Sequence, residues 1–169
     1  MPWTHLHPNM FMEALTGAYL PKNFTFTTYW KDRRVGYIAS SDIAAVAAKV
    51  LLDGPGRHAS KDYWLSVESH NGQEIAQLMS EVTGLQIKCE EKGVEEFKQL
   101  VEAWIAQGAD KWYASANIEF VTQMLDGRMS YMSMVQNDIP YILGRPAKTV
   151  REFLSENKDV LIASAGRKE

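Results

Sequence analysis

Few side chains in this chain are suited to chemistry. Four histidines (His5, His7, His58 and His70) and one cysteine, Cys89, are its only imidazoles and thiol. His5 and His7 alternate in Trp3-Thr4-His5-Leu6-His7, so both project from one side if the stretch is a strand. Two imidazoles without a third ligand are an incomplete zinc pattern, HExxH is absent, and no metal is expected. Cys89 ends Leu85-Gln86-Ile87-Lys88-Cys89, which alternates like a strand and reads as packing rather than as a nucleophile. The sequence contains no GxSxG elbow, no GxGxxG or GxxxxGK[ST] phosphate loop, and no Tyr with a Lys four residues later. Glu90-Glu91 and Glu95-Glu96 read as loop and helix-start charges, the latter suited to the positive end of a helix dipole. No catalytic residue is assigned.

Three apolar stretches leave a choice between pocket and core. Met129-Ser130-Tyr131-Met132-Ser133-Met134 offers soft, adaptable side chains that can line a cavity or fill an interior. Trp112-Tyr113 and the alternating Thr25-Phe26-Thr27-Thr28-Tyr29-Trp30 pose the same question, and an extended segment over a core is the ordinary reading of the second.

The elements that must position these residues are legible in outline. Ser40-Ser41-Asp42 leads into an Ala-rich helix over 43–52, with a Ser or Asp as cap, closed by Gly54-Pro55-Gly56 as a tight connection. Asn71 and Glu74 form a reciprocal cap for a helix ending at Gly84, with Ile75, Leu78, Met79 and Val82 on one face. Val94 to Ile105 carries an apolar stripe that includes Trp104. Thr149, with Glu152 three residues on, opens the last helix, and a further helix is expected from about Ser115 to Leu125. Met10 to Leu15 reads as helical. Strands are expected at Thr4–Leu6, Val35–Ala39, Tyr63–Val67 and Leu85–Cys89. This is an α/β pattern: a partial sheet of few short strands with a mostly helical C-terminal lobe.

The 169 residues suffice for one core, and a hydrophobic share of 46% with 23% charged residues is ordinary for a globular chain. No apolar run spans a membrane and no secretory signal is seen at the start. One cysteine precludes an internal disulfide and fits a reducing, cytoplasmic setting. A net charge of −3, with basic residues scattered apart from Lys31-Asp32-Arg33-Arg34 and Arg167-Lys168, argues against nucleic-acid binding.

Read together, several motifs resemble the NmrA-like family of atypical short-chain dehydrogenase/reductases. They are His7-Pro8-Asn9-Met10-Phe11-Met12-Glu13, then Gly36-Tyr37-Ile38-Ala39-Ser40-Ser41-Asp42-Ile43-Ala44, Leu65-Ser66-Val67-Glu68, and Gly144-Arg145-Pro146 through Phe153. The order and spacing are similar to the family's C-terminal part, with long middle helices similar to the ergot-alkaloid reductase branch. Ala14 departs from the Asn common after the Met-Glu pair. The resemblance covers about Trp3 to Leu161, as one domain over 1–161 followed by a tail over 162–169.

In that family the glycine-rich dinucleotide half comes first, and its fingerprint has no counterpart here. The resemblance therefore implies a stand-alone substrate-side lobe that binds a small apolar molecule, with no cofactor expected for the chain alone; the alternatives are half of an NAD(P)-dependent oxidoreductase that needs a separate dinucleotide part, with NAD(P) if that half is present, and a mobile or truncated fragment of no selected activity. The implied pocket is His7, Pro8, Asn9, Met10, Phe11 and Met12, with Trp30, Trp104, Trp112, Met129 and Met132. Asp42 matches the family's Asp before Ile-Ala and is read as a structural helix cap. Sheet strands lacking their usual neighbours would have open edges. A homodimer or higher oligomer is therefore expected, pairing through Trp3–Leu6 or Val35–Ala39.

Overall fold

A computed structural model describes residues 1–167. Lys168 and Glu169, the end of the expected tail and of the Arg167-Lys168 pair, lie outside the described residues. The strands are β1 (Thr4–Pro8), β2 (Met10–Phe11), β3 (Thr25–Thr28), β4 (Val35–Ile38), β5 (Lys61–Leu65), β6 (Glu68–His70) and β7 (Lys88–Glu91). The helices are α1 (Ser40–Asp53), α2 (Pro55–His58), α3 (Gly72–Thr83), α4 (Val94–Ala106), α5 (Lys111–Asp126), α6 (Asp138–Leu143), α7 (Val150–Glu156) and α8 (Lys158–Ala165). Two 3₁₀ turns cover Met12–Thr16 and Ser130–Ser133. The result is the expected α/β arrangement with a helical C-terminal half. Among the described residues, no helix is long and apolar enough to cross a membrane.

Three small sheets are formed among the described residues. β1 pairs with β5 in parallel, from Thr4 opposite Lys61 to Pro8 opposite Leu65. β4 lies between β2, parallel, and β6, antiparallel, and β3 pairs with β7 in parallel. β4 therefore has a strand on each side, β2 along Tyr37 and Ile38 and β6 along Val35 to Tyr37, so it is not an edge strand throughout its length. β1 has β5 as its one strand partner among the described residues, and its other edge has no strand beside it.

Local chemistry explains where the elements begin and end. The Asn71–Glu74 and Thr149–Glu152 capping boxes form as read, Asn71 Oδ1 accepting from the Glu74 N–H at 2.9 Å. Asp110 caps α5 by accepting from the Tyr113 N–H at 2.7 Å, which starts that helix four residues before the expected Ser115. The expected strand at Leu85–Cys89 begins instead at Lys88. Thr83 Oγ1 takes the Leu85 N–H and Ser80 Oγ takes the Ile87 N–H, leaving neither donor for a ladder. Met10–Leu15 is not a helix from its first residue. It continues as β2, and the 3₁₀ turn then buries Met12 and Leu15, three residues apart, on one side. Pro55 opens α2 at a position where its missing N–H costs nothing, so Gly54-Pro55-Gly56 is a helix start rather than a simple connection.

Asp42 is structural, but it is not the cap of α1. It is 2% exposed and accepts from Arg145 Nη2 at 2.8 Å and from the Lys148 N–H at 2.7 Å, tying α1 to the Gly144-Arg145-Pro146 turn. The start of α1 is served by Glu13, whose Oε1 accepts from the Ser40 N–H at 3.0 Å and from the Ser40 hydroxyl.

The main core gathers Met12, Leu15, Phe26, Trp30, Val35, Tyr37, Ile75, Met79, Phe153 and Leu161. A second cluster seats Leu65 and Tyr63 of β5 against Val46 of α1 and Ile139 and Ile142 of α6. A third joins α4 and α5 through Phe97, Val101, Ala114 and Val121, against Tyr29.

Candidate functional site

Parallel strands leave their carboxyl ends free to hold ligands where neighbouring strands diverge. Here β1 and β5 separate at Asn9 and Ser66. One chain runs on into β2 and the other into β6, on opposite edges of β4. Asn9 is buried at this fork. Its N–H donates to the Leu65 carbonyl at 3.2 Å, and its Nδ2 donates to Ser66 Oγ at 3.1 Å and to the Met132 carbonyl at 3.2 Å. The Ser66 hydroxyl donates in turn to the Met134 carbonyl. The methionine-rich turn is thereby fastened over the fork.

Gly36 lies beneath it. A Cβ there would sit 2.7 Å from Asn9 Nδ2, 2.9 Å from Ser66 Cβ and 3.0 Å from the Met132 carbonyl oxygen. Only glycine fits this approach without a shift.

Aromatic rings line the approach to the fork. His7 stacks on Trp64 with centroids 4.5 Å apart and planes 18° apart, and Trp64 meets Tyr131 edge-on at 6.0 Å. Phe11, at the end of β2, and Met134, whose carbonyl takes the Ser66 hydroxyl, are exposed. Trp64 is held from behind, its N–H donating to Asp138 Oδ2 at 2.7 Å at the start of α6. The Asp62 carboxyl is held below the usual carboxylate range, first by the hydrogen bond from His7 and then by that from His5.

The expected pocket residues separate into groups. His7, Pro8, Asn9, Met10 and Phe11 form the strand end and loop at the fork, with Met132 fastened over it. Met12 and Trp30 are fully buried core, Trp30 packing edge-on against Tyr19 at 5.2 Å. Trp104 packs between α4 and α5, against Phe97. Trp112 is 81% exposed at the start of α5. Met129 lines a separate cavity of about 250 Å³ with Met124, Ser130 and Arg33. An apolar groove of about 450 Å³ between Trp3, Leu6, Val50, Leu51 and Pro55 lies at the other, amino-terminal end of β1.

None of Gly36, Trp64, Ser66 and Tyr131 is among the expected pocket residues, although Gly36 and Ser66 stand in the motifs that carry the resemblance. Tyr131 lies inside the methionine-rich stretch already noted. The others are brought to Asn9 and His7 only by strand register.

No protein-family model matches the sequence. The fold is shared with about half of each of several solved epimerases and reductases. A nucleoside-diphosphate-sugar epimerase from Staphylococcus aureus superposes with a TM-score of 0.74 at 24% identity, over 92% of this chain and 52% of that one. The NADPH-dependent quinone oxidoreductase of Escherichia coli gives 0.66 at 18% identity, over 92% and 52%. The triphenylmethane reductase of Citrobacter sp., solved with NADP(H), gives 0.64 at 18% identity, over 97% and 53%. In sequence, the chain is 27% identical over 161 residues to the NAD(P)H azoreductase of Xenophilus azovorans, covering 90% of this chain and 52% of the relative. The chain thus spans about half the length of the proteins it matches.

Proposed function

We propose that this chain is the substrate-side part of an NAD(P)H-dependent oxidoreductase of NmrA-like type, corresponding to the C-terminal part in the ergot-alkaloid-reductase-like branch. The fork at Asn9 and Ser66 takes a flat, apolar aromatic molecule. The observation that carries this is the His7–Trp64–Tyr131 ring cluster at the carboxyl ends of a parallel strand pair. Stacking faces of this kind favour conjugated ligands. Three of the similar proteins carry names that specify azo compounds, triphenylmethanes and quinones, which are conjugated molecules, whereas the epimerase name specifies a nucleoside-diphosphate sugar.

By itself the chain binds and positions such a molecule without transferring hydride. The glycine-rich turn that holds a dinucleotide is absent from its sequence, and hydride transfer needs a part that supplies one. The free edge of β1 is where a strand of that part, or of a second copy, would pair.

Titration with the azo dye methyl red tests the reading, with tryptophan quenching and dye absorbance read together. Saturable binding that Trp64→Leu weakens at least about tenfold, and that Trp112→Phe leaves unchanged, is the expected result. Equal binding by the wild type and Trp64→Leu would overturn it.

A further inference from the structure

Strand register brings together three side chains, of which His5 and Asp62 have no part in the aromatic site and His7 belongs to both. His5 and His7 project from the same face of β1, and in the parallel ladder His5 stands opposite Asp62 of β5. His5 Nδ1 lies 3.1 Å from Asp62 Oδ1, and His7 Nε2 lies 2.9 Å from the same oxygen. All three ligand atoms fall within 4.8 Å of one another.

We infer that His5, His7 and Asp62 form a binding site for a divalent late transition-metal cation, with Zn²⁺ as the best match. The donor set decides the class. Two imidazoles and one carboxylate suit zinc and its neighbours, whereas magnesium and calcium prefer all-oxygen sites. The spacing fits as well. With bonds of about 2.0–2.2 Å, tetrahedral ligand atoms stand about 3.3–3.6 Å apart. Both nitrogens are already close to that distance from the carboxylate oxygen, and no two of the three ligand atoms are more than 4.8 Å apart.

The ligands are also held in place before any metal arrives. The His5 ring stacks on Trp3 with centroids 4.4 Å apart, and the His7 ring on Trp64 at 4.5 Å. Both strands are fixed by their ladder and by the core beneath, where Leu6, Tyr63 and Leu65 face the opposite way into the second cluster. Ligands on rigid elements, with rings fixed by a neighbour, lose little entropy on binding. Binding requires the lone pairs of His5 Nδ1 and His7 Nε2, so each neutral ring carries its proton on the other nitrogen. Any proton shared with Asp62 at these positions leaves to solvent. Three protein ligands leave the fourth tetrahedral position to water.

This site shares His7 with the proposed aromatic site but does not rest on that reading, and the variants at His5 and Asp62 test it separately. Isothermal titration of the tag-free chain with Zn²⁺ tests it, with Co²⁺ absorption as a second readout of coordination geometry. The result expected is one Zn²⁺ per chain, with binding weakened at least about tenfold in His5→Ala and in Asp62→Asn, and unchanged in His70→Ala. Co²⁺ should give the intense visible bands of a tetrahedral site, lost in both variants. Circular dichroism confirms folding, and His5→Gln replaces any variant that fails to fold. Absence of saturable binding, or binding that survives both His5 and Asp62 substitutions, would overturn the assignment.

Discussion

Gly36→Ala probes the fork most sharply. The new methyl would lie 2.7 Å from Asn9 Nδ2, 2.9 Å from Ser66 Cβ and 3.0 Å from the Met132 carbonyl oxygen. Two of these neighbours cannot yield cheaply. The Met132 oxygen is backbone, and Ser66 Cβ is one bond from it. Asn9 can move only by giving up its hydrogen bonds to Ser66 Oγ and the Met132 carbonyl. Overpacking of this kind costs about 1–3 kcal/mol, and a broken buried hydrogen bond adds roughly 1 kcal/mol. The sum is about 2–4 kcal/mol, which for a chain of this size lowers Tm by very roughly 4–16 °C. Urea denaturation followed by circular dichroism reads it directly. The double variant Gly36→Ala/Asn9→Ala should lose less than the two single changes added together, because the second change removes the atom nearest the methyl. A Gly36→Ala protein within about 0.5 kcal/mol of wild type would refute the close approach on which the fork rests.

Other residues make separable predictions. Asp42→Ala should destabilise by about 2–3 kcal/mol, since it strands the Lys148 N–H in a part-buried position and removes the carboxylate that Arg145 pairs with; a loss under about 0.5 kcal/mol in denaturant melts would contradict this. Tyr37 is fully buried, its hydroxyl has no hydrogen-bond partner among the described residues, and burial pushes its pKa far up. Tyr37→Phe should therefore raise stability by about 1 kcal/mol, and a loss of that size would show that the hydroxyl is satisfied. Glu68 is held below its ordinary value of 4.5 by the His70 imidazole and by the Val150 N–H. The backbone donor, at 2.7 Å, is the firmer contact, since His70 Nε2 stands 3.5 Å away. A depressed carboxylate stabilises the fold above its unfolded-state pKa and loses that contribution as pH falls through the folded-state value. Stability below about pH 4.5 should thus fall less steeply in Glu68→Gln than in wild type, and parallel acid-unfolding curves would exclude the linkage.

Much of the helical framework could be read from the chain because its signals are local. Asn71 with Glu74 and Thr149 with Glu152 announce their helices within four residues, and the structure builds both boxes. What escaped depends on partners far along the chain. Asp42 has the residue type and position of a cap, yet its carboxylate is claimed from more than a hundred residues away by Arg145 and Lys148. α6 is six residues long and contains Pro140, which reads as a breaker, but that proline falls in the first turn where no N–H is needed. β6 has only three residues and is defined by β4 rather than by its own pattern.

The candidate site follows the same rule. The loop from His7 to Phe11 was visible as a motif. Trp64 and Asp62, however, join it only through the register of β5 against β1, which no local pattern encodes. The methionine-rich stretch divides between the two roles open to it, Met132 folding inward over the fork while Met134 stays exposed.

The central claim is that a flat aromatic ligand is held where β1 and β5 diverge. Amide chemical-shift mapping with methyl red on the isotope-labelled chain tests this most directly. The account predicts shifts concentrated at Asn9, Phe11, Trp64, Ser66 and Tyr131. Shifts confined to Trp3, Val50 and Leu51 in the groove at the opposite end of β1, or no saturable shifts at all, would contradict it.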